Sequence, residues 1–83
     1  MVVDSELRIR RLTIDEALPK LDRYLNAAFM AGLPSVRIVH GKGTGALRKK
    51  IGDFLTDHHR VKKTRIGTLE EGGAGVTIVK LKE

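Results

Sequence analysis

Residues 35–45 read SVRIVHGKGTG. Val36, Ile38 and Val39 make Ser35 to His40 an apolar strand, and Gly41-Lys42-Gly43-Thr44-Gly45 makes a tight loop at its end. A short β-branched run closed by glycine has the character of a strand, not of a helix. Thr44 is a good N-cap, and Leu47, Ile51, Phe54 and Leu55 after it fall on one helical face. A strand that feeds through glycines directly into an amphipathic helix is part of a βαβ unit, so this stretch sets the class as α/β.

Toward the N-terminus, Glu6 to Leu12 alternates, with Leu7 and Ile9 on one side and Arg8 and Arg10 on the other. That pattern predicts a half-buried strand. Thr13 with Glu16 three residues on is a capping-box spacing. The helix it starts carries Ile14, Ala17, Leu18, Leu21, Leu25, Ala28 and Phe29 on one face. Pro19 removes one backbone hydrogen bond from it, and Gly32 and Pro34 end it.

Toward the C-terminus, His58 and His59 close the second helix, where they suit the dipole and are not read as metal ligands. Val61 to Ile66 is a basic strand suited to a sheet edge, Leu69 to Gly75 a flexible turn, and Val76 to Leu81 the last strand. The order is β-α-β-α-β-β. It predicts a two-layer α/β sandwich: a four-stranded mixed sheet with two helices on one face, the βαβ steps giving parallel pairs. Residues 6–81 form a single domain, with flexible ends at 1–5 and 82–83.

A chain of 83 residues supports one modest core. Without cysteine it has neither disulfides nor thiolate metal sites, in keeping with a cytoplasmic location. No apolar run approaches a membrane span. Sixteen Lys and Arg against ten Asp and Glu leave a net charge of +6, which favours a polyanionic partner. One Tyr and two Phe, all at helical spacing, do not make a stacking platform for single strands.

The glycine-rich loop is the strongest chemical signal. Free N–H groups and the helix dipole favour an anion there, and glycines let the backbone approach a phosphate. Lys42 adds charge and Arg48 lies one turn into the helix. The spacing is not that of a Walker A loop, so nucleoside triphosphate binding is not expected. His40 is a candidate acid, base or phosphate donor. Arg8, Arg10 and Arg11 form a second signal, extended by Arg37 on the neighbouring strand and by Lys62, Lys63 and Arg65. The carboxylates are scattered and give no metal-binding spacing.

The stretch 16–51, EALPKLDRYLNAAFMAGLPSVRIVHGKGTGALRKKI, followed by EEGGAGVTIVKL at 70–81, resembles the Smr (small MutS-related) domain. It is most similar to the C-terminal Smr domain of bacterial second-type MutS proteins. The resemblance covers about Glu6 to Leu81 and implies the same β-α-β-α-β-β fold in a piece of a longer, MutS-like chain. It also implies a structure-tolerant endonuclease. The substrate in the MutS-related members is branched or double-stranded DNA, with a role in recombination and repair; relatives act on RNA, including at the ribosome. His40, Lys42, Gly43 and Gly45 match the family's second motif. The first motif, LDxHG or LDxRG, stands here as Leu7-Arg8-Ile9-Arg10-Arg11, with Arg8 for the aspartate and Arg11 for the glycine.

Two functions follow. In the first, the domain is a nuclease: phosphate sits on Gly41 to Gly45, Arg10 and Lys42 stabilise the transition state, and His40 is the titratable group. RNA can supply its own 2′-hydroxyl; DNA needs an activated water, for which a divalent metal, Mg or Mn, is admissible though no cofactor is required by the sequence. In the second, Arg8, Arg10, Arg11, Arg37, Thr44, Arg48 and the loop bind nucleic acid without cutting it.

Overall fold

Thr13 begins the first helix as its spacing to Glu16 demands. Its hydroxyl accepts from the Glu16 N–H, and the Glu16 carboxylate accepts from the Thr13 N–H, so two otherwise orphaned donors are satisfied. The computed structural model describes residues 2–41 and 45–83. Its elements are β1 (Glu6–Arg8), α1 (Ile14–Met30), β2 (Ser35–Val39), α2 (Gly45–Asp57), β3 (Val61–Ile66) and β4 (Val76–Leu81). The expected N-cap, Thr44, and its neighbours Lys42 and Gly43 lie outside the described residues.

The helix α1 runs unbroken through Pro19, which lies on its exposed side. Ala17, Leu21, Leu25 and Ala28 are the residues it buries. The helix α2 contributes Ile51 and Leu55. Both sets pack with Ile9, Val36, Ile38, Val79 and Leu81 into one core. Those sheet residues share a face because side chains alternate along a strand. The two helices therefore cover one side of the sheet, as the element order predicts.

The sheet order is β1-β2-β4-β3. β1 pairs parallel with β2, with Glu6 beside Arg37 and Arg8 beside Val39. β4 runs antiparallel between β2 and β3. The second βαβ step thus differs from expectation: β2 and β3 point the same way but are not neighbours. β4, the more apolar of the two C-terminal strands, fills the centre between β2 and β3 and leaves basic β3 at the edge. A bulge between Val61 and Lys63 further disrupts that edge.

One other expectation is corrected. β1 ends at Arg8 instead of Leu12, because the chain turns from Ile9 to Leu12, whose N–H donates to the Ile9 carbonyl. Arg11 holds φ +68° in that turn, as the third position of a type II turn requires. The stretch 69–75, read from the sequence as a flexible turn, takes the form of two single 3-10 turns, Leu69–Glu71 and Gly73–Gly75. At the N-terminus, Ser5 accepts from the Arg37 N–H and the Tyr24 hydroxyl donates to the Asp4 carbonyl.

The end of α2 is fastened to α1. The buried His58 accepts the Arg60 N–H at Nδ1, so its Nε2 carries the proton and donates to Asp22 at 2.7 Å. Arg60 lies over the Phe29 ring at 4.0 Å and donates to Asn26. These contacts use His58 and Arg60, just beyond the end of α2, to tie that end to α1.

Candidate nucleic-acid interface

The uncovered sheet face carries Glu6 and Arg8 from β1, Arg37 and Val39 from β2, Ile78 and Lys80 from β4, and Lys63 and Arg65 from β3. Glu6 lies between two arginines, 3.2 Å from Arg8 Nε and 3.7 Å from Arg37 Nη1. Both pairs are exposed, so they hold the guanidinium groups loosely and a phosphate can compete for them.

An open groove of about 580 Å³ crosses this face. Arg8, Arg10 and Arg37, with Glu6 among them, line one wall, Val39 and Val76 the floor, and the turn Leu69–Gly72, which carries Glu70 and Glu71, the other wall. A second groove, about 370 Å³, lies past Arg10 and is lined by Arg11, Leu12, Thr13, His40 and Leu47. Arg10 and Gly41 border both. Arg10 lies along the backbone of Gly41: a Cβ built there would be 3.5 Å from Arg10 Nε. Gly41 holds φ +79°, a conformation that glycine adopts without cost.

His40 is buried, and both its ring nitrogens are used. Nδ1 donates to the Gly41 carbonyl at 2.9 Å, which can only accept. Nε2 pairs with the Thr77 hydroxyl at 2.8 Å, accepting from it in the neutral ring. The backbone N–H groups of His40 and Gly41 both donate to the Gly75 carbonyl, at 3.0 and 2.9 Å. His40 and Gly41 are thus fixed by two hydrogen bonds to Gly75, at the end of the 3-10 turn, and by the histidine ring to Thr77 of β4.

The structure brings Arg8, Arg10, Arg37 and Gly41 around one groove and Arg10, Arg11, His40 and Gly41 around the other. Arg48 and Gly45 are exposed at the start of α2 and line neither; the first turn of that helix carries no acid. The positions predicted at Lys42, Gly43 and Thr44 lie outside the described residues. Among the described residues no three His, Cys, Asp or Glu are grouped to hold a metal ion. None of the described helices is long and apolar enough to cross a membrane.

Sequence reading missed Thr77, Gly75 and the ion pair that stiffens the groove's far wall. Arg65 donates twice to Glu71, at 2.6 and 2.8 Å, and the Thr68 N–H donates a third bond. The Arg65 guanidinium and the Thr68 amide hold the Glu71 carboxyl down at about 2. Thr77 left a signal, a hydroxyl on the same face of β4 as Val79 and Leu81, where a polar group must find a partner.

The fold and these grooves define a small two-layer α/β domain with an arginine-bearing cleft beside a strand-to-helix connection. The chain belongs to the Smr domain family, whose model matches residues 7–82. It is 51% identical over 81 residues to Endonuclease MutS2 of Symbiobacterium thermophilum, covering 98% of this chain and 10% of that protein. Endonuclease MutS2 of Thermomicrobium roseum is 54% identical over 79 residues, again covering 95% of this chain and 10% of the relative. The chain therefore spans about a tenth of the curated relatives it matches. The crystal structure of the Smr domain of Thermus thermophilus MutS2 superposes with a TM-score of 0.89 at 44% identity, covering 94% of this chain and 98% of that one. YdaL, a stand-alone small MutS-related protein from Escherichia coli, gives a TM-score of 0.89 at 25% identity, covering 95% and 65%.

Proposed function

We propose that this domain binds DNA through the two grooves flanking Arg10 and nicks it without regard to sequence, as part of a cytoplasmic MutS-like chain. The observation that carries the reading is the placement of Arg10 along Gly41. It sets a permanently charged, planar donor beside the glycine-rich loop that leads into α2. Branched or double-stranded DNA is the proposed substrate, with recombination intermediates as its setting. The endonuclease names of the MutS2 relatives support the chemistry.

Arg8, Arg37, Arg11 and Arg48 supply phosphate contacts, and Arg10 with Lys42 stabilises charge that develops on the scissile phosphate. In this reading His40 is the candidate acid or base, its Nε2 bonded to Thr77 Oγ1 within the fold. For DNA the nucleophile is a water, and the described residues offer no grouped ligands for a metal that would activate it. RNA, on the ribosome or elsewhere, is the alternative substrate.

One observation favours a second reading, a binding module without cleavage. Both His40 nitrogens are already bonded within the fold, which suits a peg that fixes the loop. The test is cleavage of labelled branched DNA, plasmid DNA and single-stranded RNA, with EDTA or a divalent metal, by the wild type and by Arg10→Ala, His40→Ala and Thr77→Val. Nicking that is lost in Arg10→Ala, with a pH–rate profile displaced in Thr77→Val, is expected for the nuclease. Retarded complexes without products under every condition, with Thr77→Val costing about 1 to 3 kcal/mol of stability through the unpaired ring nitrogen, identify the binding module.

A further inference from the structure

Leu69 is 94% exposed at the tip of a turn that is built to stay in place. The Thr68 N–H donates to the Glu71 carboxylate, and Arg65 grips the same Glu71 with two bonds. Gly72 follows at φ +115°, where a Cβ would lie 2.6 Å from Val76 Cγ2, so the chain there is pressed against β4. A leucine in water gains nothing for the fold, yet the backbone beneath it is fixed by charged hydrogen bonds and by a close backbone approach. The same leucine, beside Glu70 and Glu71 on its own wall, lines the 580 Å³ groove whose other wall is Arg8, Arg10 and Arg37 with Glu6 between them.

A ligand suited to this groove has phosphate on one side and an uncovered apolar surface on the other. A stacked, fully paired duplex hides the faces of its bases. An unstacked nucleotide, at a branch, gap or end, presents one. The chain lacks tryptophan and has no aromatic residue on this groove, so an aliphatic side chain is what the site offers to a base. Leucine does serve as a wedge between bases in proteins that distort nucleic acid.

We infer that Leu69 is a specificity residue, a fixed apolar wedge that packs on an unstacked base while the arginines opposite hold its backbone. This rests on the nucleic-acid reading of the groove. The experiment measures fluorescence anisotropy of the 83-residue chain on a paired duplex and on a three-way junction of the same sequences. A 2-aminopurine beside the branch reports unstacking. Leu69→Ala is expected to keep duplex affinity within about twofold, to lose roughly five- to tenfold on the junction, and to abolish the rise in 2-aminopurine emission. Leu69→Phe is expected to retain the junction preference. Arg10→Ala is expected to weaken both substrates alike.

If the wild type prefers the junction and Leu69→Ala keeps that preference, or weakens both substrates equally, the wedge is overturned and the nucleic-acid reading stands. If the wild type binds neither substrate, both are overturned. Should Leu69→Ala instead dissolve a dimer seen by sedimentation without nucleic acid, the leucine is a self-contact and the proposal falls.

Discussion

Arg11 occupies a left-handed backbone conformation with a side chain that does not favour it. The family resemblance places a glycine at this position, and the turn explains why: the chain leaves β1 through a bend whose third residue needs positive φ. Arg11→Gly is expected to raise unfolding free energy by about 0.5 to 1 kcal/mol, read from denaturant melts, while weakening nucleic-acid binding through the lost charge. The arginine thus stands in the turn at the expense of stability, next to the groove it lines. The substitution was legible in the sequence; its conformation was not, since alternation alone extended β1 to Leu12. His40 shows the same boundary. Its place after an apolar strand is plain in the sequence, but its partner Thr77 is 37 residues away and is brought to it only by the pairing of β2 with β4.

At the level of elements, the 3-10 turn at 69–71 contributes an acid-sensitive fastening. Glu71 is held down at about 2 by Arg65 and Thr68, against an ordinary value of 4.5. A depressed carboxyl stabilises the fold above its unfolded value and loses that contribution as pH falls toward its folded one. Glu16, lowered by its bonds from Thr13, acts in the same direction at the start of α1. Wild type and Glu71→Gln are expected to differ in Tm at pH 6 and to converge between about pH 4.5 and 2, as thermal melts across that range would show. The sequence offered glycines here and suggested a loose turn. What it did not reveal was a carboxylate reaching back across six residues to a strand arginine. That pairing depends on β3 and the turn being folded together.

For the molecule as a whole, one sheet face is closed by two helices and the other is left to solvent, arginine and lysine. The element order and the helical layer were legible because the hydrophobic periods of the helices and strands are clear. The strand order was not, because chain order leaves open whether β4 adds at an edge or enters the centre. With a net charge of +6, nucleic-acid affinity is expected to fall linearly on a log–log plot against salt. Arg10→Ala is expected to flatten that slope by about 1, as a lost phosphate contact does, and Leu69→Ala to leave it unchanged. Titrations at several salt concentrations check both.

The shared carbonyl of Gly75 bears on engineering. Because the N–H groups of both His40 and Gly41 hang from that one oxygen, and Thr77 engages the ring from the same segment, HGKGTG is not a portable cassette. Transplanting it into another strand-to-helix junction would carry the glycines without their anchor. A graft that keeps His40 and Gly41 anchored has to import residues 72–77 with it, as the second half of a two-piece part.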